Sequence, residues 1–160
     1  MENVIEKRIA DAKSLVARLE AQLTQQQSEA RFEKLQKRII KTHTAPRHIY
    51  KTLKVNPKND KIKVQGFDKQ DYDVLHSIIL RMRVCKVYNN GKLLNQDDRR
   101  HYPYYSLNKS AHRHLVFLNS YSGNDNVGLT SAPRLCFITG AASDSYGKNF
   151  IENEEKAIQL

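Results

Sequence analysis

The sequence predicts an α+β fold: a long, coiled-coil-like N-terminal helix followed by a small, mostly antiparallel sheet with one packing helix. Three observations carry that expectation. Residues 3 to about 41 lack both glycine and proline and are dominated by Ala, Leu, Glu, Gln, Lys and Arg, the strong helix formers. Short apolar alternations separated by turn chemistry come next, which is the pattern of hairpins. Between them, Leu75, Ile78, Ile79 and Met82 repeat at i, i+3, i+4 and i+7, which is the spacing of one buried helix face.

Within the first segment, Ile5, Ile9, Ala12, Val16, Leu19 and Leu23 follow a 4-3-4-3-4 spacing, a heptad seam. The seam fails at "TQQQSEA" and resumes out of phase at Phe32, Leu35 and Ile39. Ile5, Ile9, Val16, Leu19 and Leu23 are therefore candidate oligomerisation residues, pairing with a second copy or with another protein. "THTAPRH" breaks the helix at Pro46 and marks a boundary. In "TLKVNPKNDKIKV", Leu53 and Val55 alternate with Thr52 and Lys54, and Ile62 and Val64 with Lys61 and Lys63, around the turn-forming "NPKND". That predicts a hairpin whose outer face carries Lys54, Lys61 and Lys63.

Asp68, followed by Asp71 three residues on, predicts a capped helix start, with Phe67 and Tyr72 as a hydrophobic staple. Arg81 and Arg83 are expected in its last turn, facing the negative end of the helix dipole. "RVCKVYNNGKLLN" predicts a second hairpin turning at Asn90-Gly91, and "HLVFLNSY" and "RLCFITG" read as two central strands. The predicted organisation is a helix over 1–41, a basic α+β domain over 42–140, and a flexible polar, slightly acidic tail over 141–160.

Charge narrows the class of partner. The net charge is +10; residues 42–120 hold 15 basic and 6 acidic side chains, while residues 121–160 hold 3 and 5. Charge concentrated in this way implies a polyanionic partner. No run of eighteen apolar residues exists, and the N-terminal stretch is charged without an apolar core, so neither a membrane span nor a signal peptide is expected. Cys85 and Cys136 fall in apolar runs and are expected as buried, reduced thiols of an intracellular protein, in cytoplasm, nucleus or nucleoid.

Metal chemistry has little support: the chain has no CxxC, HxxxH or HExxH, only the "HRH" of His112 and His114. Asp97 and Asp98 beside Arg99, Arg100 and His101 have the residue types of a metal-assisted phosphodiesterase, but adjacent carboxylates on an extended chain point to opposite sides. The segment "RRHYPYYS" instead interleaves cations with aromatic rings, as single-strand nucleic-acid binding requires. Lys54, Lys61, Lys63, Arg99, Arg100, Tyr102, Tyr104, Tyr105 and Arg113 are thus the candidate nucleic-acid-binding residues. The sequence points to a non-enzymatic binder of single-stranded DNA or RNA, without cofactor, metal or membrane. Its rivals are an assembly component held by the N-terminal helix and, third, a phosphodiesterase.

Overall fold

The computed structural model describes residues 2–60, 62–92, 94, 98–108, 114–123 and 135–158. The fold is α+β: helices α1 (Glu2–Thr42), α2 (Pro46–Leu53), α3 (Lys69–Tyr88), α4 (Gly140–Asn149) and α5 (Ile151–Ala157), with strands β1 (Arg100–Asn108) and β2 (His114–Gly123). Two compact units divide the chain, Met1–Leu35 and Gln36–Leu160, with the division inside α1. In the first unit, Ile9, Val16, Leu19 and Leu23 are each half or more exposed.

The second unit begins on the last turns of α1. Gln36 is buried; its amide donates to the Tyr88 carbonyl at 3.2 Å, and its oxygen accepts from Thr139 Oγ1 at 3.1 Å. Ile39 is buried, and Tyr88 reaches back to donate to the His43 carbonyl at 2.8 Å. Pro46, whose fixed φ suits a first helical turn, starts α2. The helix ends at Lys54 in the left-handed conformation, φ 54°.

Among the described residues, the first predicted hairpin is therefore absent. Leu53 lies at the end of α2, and "PKND" forms a 3-10 turn, Pro57–Asp60. The period-2 pattern was overridden because Ile49 is fully buried and α2 packs on α3. Lys54 and Lys63 are exposed but line no strand, and Lys61 lies outside the described residues. Asp60 instead locks the segment: it is buried, accepts from Tyr50 Oη at 2.8 Å and pairs with Arg83.

The predicted start of α3 is present in full. Asp71 N donates to Asp68 Oδ1 and Asp68 N to Asp71 Oδ2, both at 3.0 Å, and the Phe67 and Tyr72 rings lie 5.7 Å apart. Its end is not where the sequence placed it. The helix runs through "RVCKVY" to Tyr88, so Arg81 and Arg83 lie before its last turn. Its buried residues are Ser77, Val84, Cys85, Val87 and Tyr88, whereas Ile78 is exposed. Tertiary burial of β-branched and aromatic side chains outweighs their modest helix propensity here. Asn90 (φ 51°) and Gly91 (φ 75°) end this helix rather than turn a hairpin.

Asn89 is buried and clamps the 136–138 segment as a strand would, donating to the Cys136 carbonyl at 2.9 Å and accepting from Ile138 N at 3.0 Å. "RLCFITG" is consequently not a central strand. It makes one bridge, His101 to Phe137. Pro103 lies two residues along the same edge of β1 and has no N–H with which to extend that pairing.

The greatest departure concerns the predicted tail, 141–160. Instead of a flexible tail, its described residues, 141–158, form α4 and α5 and supply the core: Ala142, Tyr146 and Phe150 are buried, as is Glu154. The ring series Tyr88, Phe137, Tyr146 and Phe150 steps through the centre at 5.9, 5.2 and 5.2 Å. Small residues that look loop-like in sequence are small here for packing. A Cβ on Gly147 would collide with the Phe117 ring. Thr139 caps α4 by accepting from Ala142 N at 3.2 Å.

Candidate nucleic-acid interface

"RRHYPYYS", without apolar periodicity in the sequence, is mostly strand β1. It pairs antiparallel with β2, Tyr102 opposite Tyr121, Tyr104 opposite Asn119 and Tyr105 opposite Phe117, with Leu118 accommodated as a bulge. The strand turns alternate residues to opposite faces. On the inner face, α4 and α5 pack. Leu115 is buried, Pro103 is buried, and the Tyr105 ring meets Phe117 edge-on at 5.9 Å. Ser120 Oγ donates to Asp144 of α4 and to the Gly140 carbonyl.

Beneath this face lies an ionic network. Arg81 donates to Glu154 Oε2 at 3.2 Å and to the Leu135 carbonyl at 3.1 Å, and its guanidinium lies 5.6 Å from the Tyr146 ring centroid. Tyr146 donates to Glu154, and Asn153 donates to Tyr146 Oη at 3.0 Å. Burial pulls the Arg81 pKa down, and the Glu154 carboxylate together with Tyr146, Cys85 and Tyr105 more than offsets that, so the guanidinium stays charged. Burial holds the Tyr105 hydroxyl protonated, reinforced by the nearby Glu154 charge. The Cys85 and Cys136 thiols are free and buried, and burial pushes both pKa values up.

The outer face is chemically different. Tyr104 is 56% exposed, Tyr121 51% and the bulged Leu118 52%. Val116 is exposed beside them, and the half-buried Tyr102 lies 5.2 Å from Tyr121, ring to ring, at an interplanar angle of 41°. The bulge matters because it turns Leu118 and Asn119 both outward, widening the exposed strip. Arg99 is exposed at the end of the hairpin, where its Nε donates to Ser122 Oγ at 3.1 Å. Arg100 is half-buried at the start of β1. Burial and the adjacent Arg99 lower the His101 pKa, favouring the neutral ring.

Of the candidate binding residues, the fold thus brings Arg99, Arg100, Tyr102 and Tyr104 onto one hairpin. Tyr105 is turned inward, away from that strip. Lys54 and Lys63 belong to the segments around α2 and the start of α3, and Lys61 and Arg113 lie outside the described residues. Tyr121 was missed by sequence reasoning. Its signal was present in the period of "HLVFLNSY", but only a hairpin register makes it the partner of Tyr102. Ile9, Val16, Leu19 and Leu23 stand exposed on α1.

Among the described residues, no group of three His, Cys, Asp or Glu side chains converges as a metal site, and no helix is long and apolar enough to cross a membrane. Comparison with protein-family models, with curated proteins and with solved structures finds no match for the chain.

Proposed function

We propose that this protein binds single-stranded nucleic acid, without catalysis, on the outer face of the β1–β2 hairpin. The observation that carries the reading is the strip formed by Tyr102, Tyr104 and Tyr121, two of them more than half exposed, on a sheet whose other face packs against α4 and α5. A contiguous exposed patch of rings and apolar side chains marks a binding surface, and bases stack on aromatic rings at about 1–3 kcal/mol each. The surplus of 15 basic over 6 acidic residues in 42–120 supplies the electrostatic attraction to phosphate, with Arg99 and Arg100 at the end of the same hairpin. Tyr121 takes the place in the strip that the sequence assigned to Tyr105. Two buried free thiols fit a reducing, intracellular setting.

A titration of the full chain with a labelled single-stranded oligonucleotide, followed by anisotropy across a salt series, tests the reading. About five phosphate contacts give a log–log slope near −3.5, and Arg99→Ala should flatten it by roughly 0.7. A duplex of the same length should bind more weakly, because its bases are stacked away from the tyrosines. Binding that is flat in salt, or equal for duplex and single strand, would overturn it.

A further inference from the structure

We infer that the first unit of the protein is an antiparallel dimerisation helix whose partner is a second copy of the same chain, paired in one defined register. This inference stands apart from the nucleic-acid reading. It begins with an apolar stripe on a continuous helix: Ile9, Val16, Leu19 and Leu23 are half or more exposed, and Leu15 widens the stripe. A stripe of that kind repeating every seven residues buries itself against another helix.

Size and charge select the occupant and the direction. With Ile9, Val16 and Leu23 at the first seam position and Ala12 and Leu19 at the other, the flanking positions hold Arg8, Lys13, Glu20 and Glu29. In a parallel pair of copies, Ala12 would face Ala12 of the partner subunit and leave a void. Arg8 would also face Lys13 of the partner subunit, a like-charge contact made twice. Consider instead antiparallel copies with Val16 opposite Leu19 of the partner subunit. Ala12 then faces Leu23 of the partner subunit, so small meets large. Lys13 faces Glu20 of the partner subunit and Arg8 faces Glu29 of the partner subunit. Each contact occurs twice by symmetry, giving four opposite-charge pairs and no like-charge pair.

Sliding the pair by one heptad loses this. Glu6 would then meet Glu20 of the partner subunit, and Lys13 would meet Lys13 of the partner subunit. The weakest layer of the favoured register is Ile9 opposite Gln26 of the partner subunit, close to where "TQQQSEA" interrupts the apolar stripe. The paired stretch therefore ends within the interruption, where Arg8 faces Glu29 of the partner subunit. A single polar layer also fixes register at some cost in stability.

Two experiments on the full chain test this. First, Ala12→Cys and Leu23→Cys variants are oxidised separately and as a mixture; the native thiols are buried and do not compete. The mixture should yield a disulfide-linked dimer containing one of each variant, while neither variant alone should link. Self-linking of each variant alone would establish a parallel pair and overturn the inference. Second, sedimentation measures the dimer dissociation constant. Glu20→Lys should raise it about tenfold, since two attractive pairs become repulsive, and adding Lys13→Glu should restore it. In a parallel pair Glu20→Lys would be near-silent, because Glu20 would face Leu15 of the partner subunit. A protein that sediments as a monomer at tens of micromolar, or a Glu20→Lys effect that Lys13→Glu does not reverse, overturns the inference.

Discussion

Tyr104 and Tyr105 are neighbours in sequence and opposites in environment. Tyr104 stands 56% exposed on a solvent-facing strip, while Tyr105 packs on Phe117 with its hydroxyl held protonated by burial. The same contrast holds for the whole hairpin. One face is engaged by α4 and α5 above the Arg81–Glu154–Tyr146 network, and the other offers Tyr102, Tyr104, Tyr121, Leu118 and Val116 to whatever approaches. Composition alone cannot separate the two faces, since tyrosine occurs on both. Pleat and register separate them, and with them the residues that pack against α4 and α5 from those that face outward.

The comparison breaks most visibly at the inner network. Glu154→Ala strips the largely buried Arg81 guanidinium of its carboxylate and should cost about 3 kcal/mol, the low end for a buried pair because Arg81 keeps some exposure, read by denaturant unfolding. A loss under about 1 kcal/mol would mean that this face is not the structural one. Gly147→Ala should cost about 1–3 kcal/mol, because the new methyl meets the Phe117 ring and α4 must lift from the hairpin.

The third expectation concerns pH at the α2–α3 contact. Asp60 sits below the usual carboxylate range, because Arg83 donates to its charged form and Tyr50 adds a second hydrogen bond. A lowered acid pKa gives stability that is present above the unfolded value and lost as pH falls through the folded one, so stability should decline below about pH 4. Tyr50 is pushed up to about 12, by burial and then by Asp60, so its share is present below pH 10 and lost as pH rises towards 12. Asp60→Asn should flatten the acid limb of a melting-temperature profile and only lessen the alkaline one, where burial of Tyr50 is the first cause; an unchanged acid limb would exclude the contact as its source. On the outer face, by contrast, Tyr104→Ala should change stability by no more than about 0.5 kcal/mol.

How much of this could be read in advance followed the range of the interactions involved. The long helix, the Asp68–Asp71 capping box and the Phe67–Tyr72 staple depend on residues within one or two turns of each other, and the sequence displayed them. Tyr88 did not read as helical because its place is set by Phe137, His43 and Ser145, 45 and more residues away in two of its hydrogen bonds. The C-terminal segment looked like a tail because its glycine, alanines and serines suggest a loop. They are small because α4 lies close against β2. Tyr121 was invisible until the register paired it with Tyr102. Lys54 and Lys63 were misplaced because a period-2 pattern of five residues is too short to outweigh the burial of Ile49.

The most direct test of the two-faced hairpin measures oligonucleotide affinity and melting temperature together in three variants. Tyr104→Ala with Tyr121→Ala should weaken single-strand binding at least tenfold and leave the melting temperature within a few degrees, with Tyr→Phe at both positions retaining affinity. Tyr105→Phe should leave affinity unchanged. Full affinity in the double alanine variant, or a loss of affinity that merely tracks a fall in melting temperature, would contradict the account.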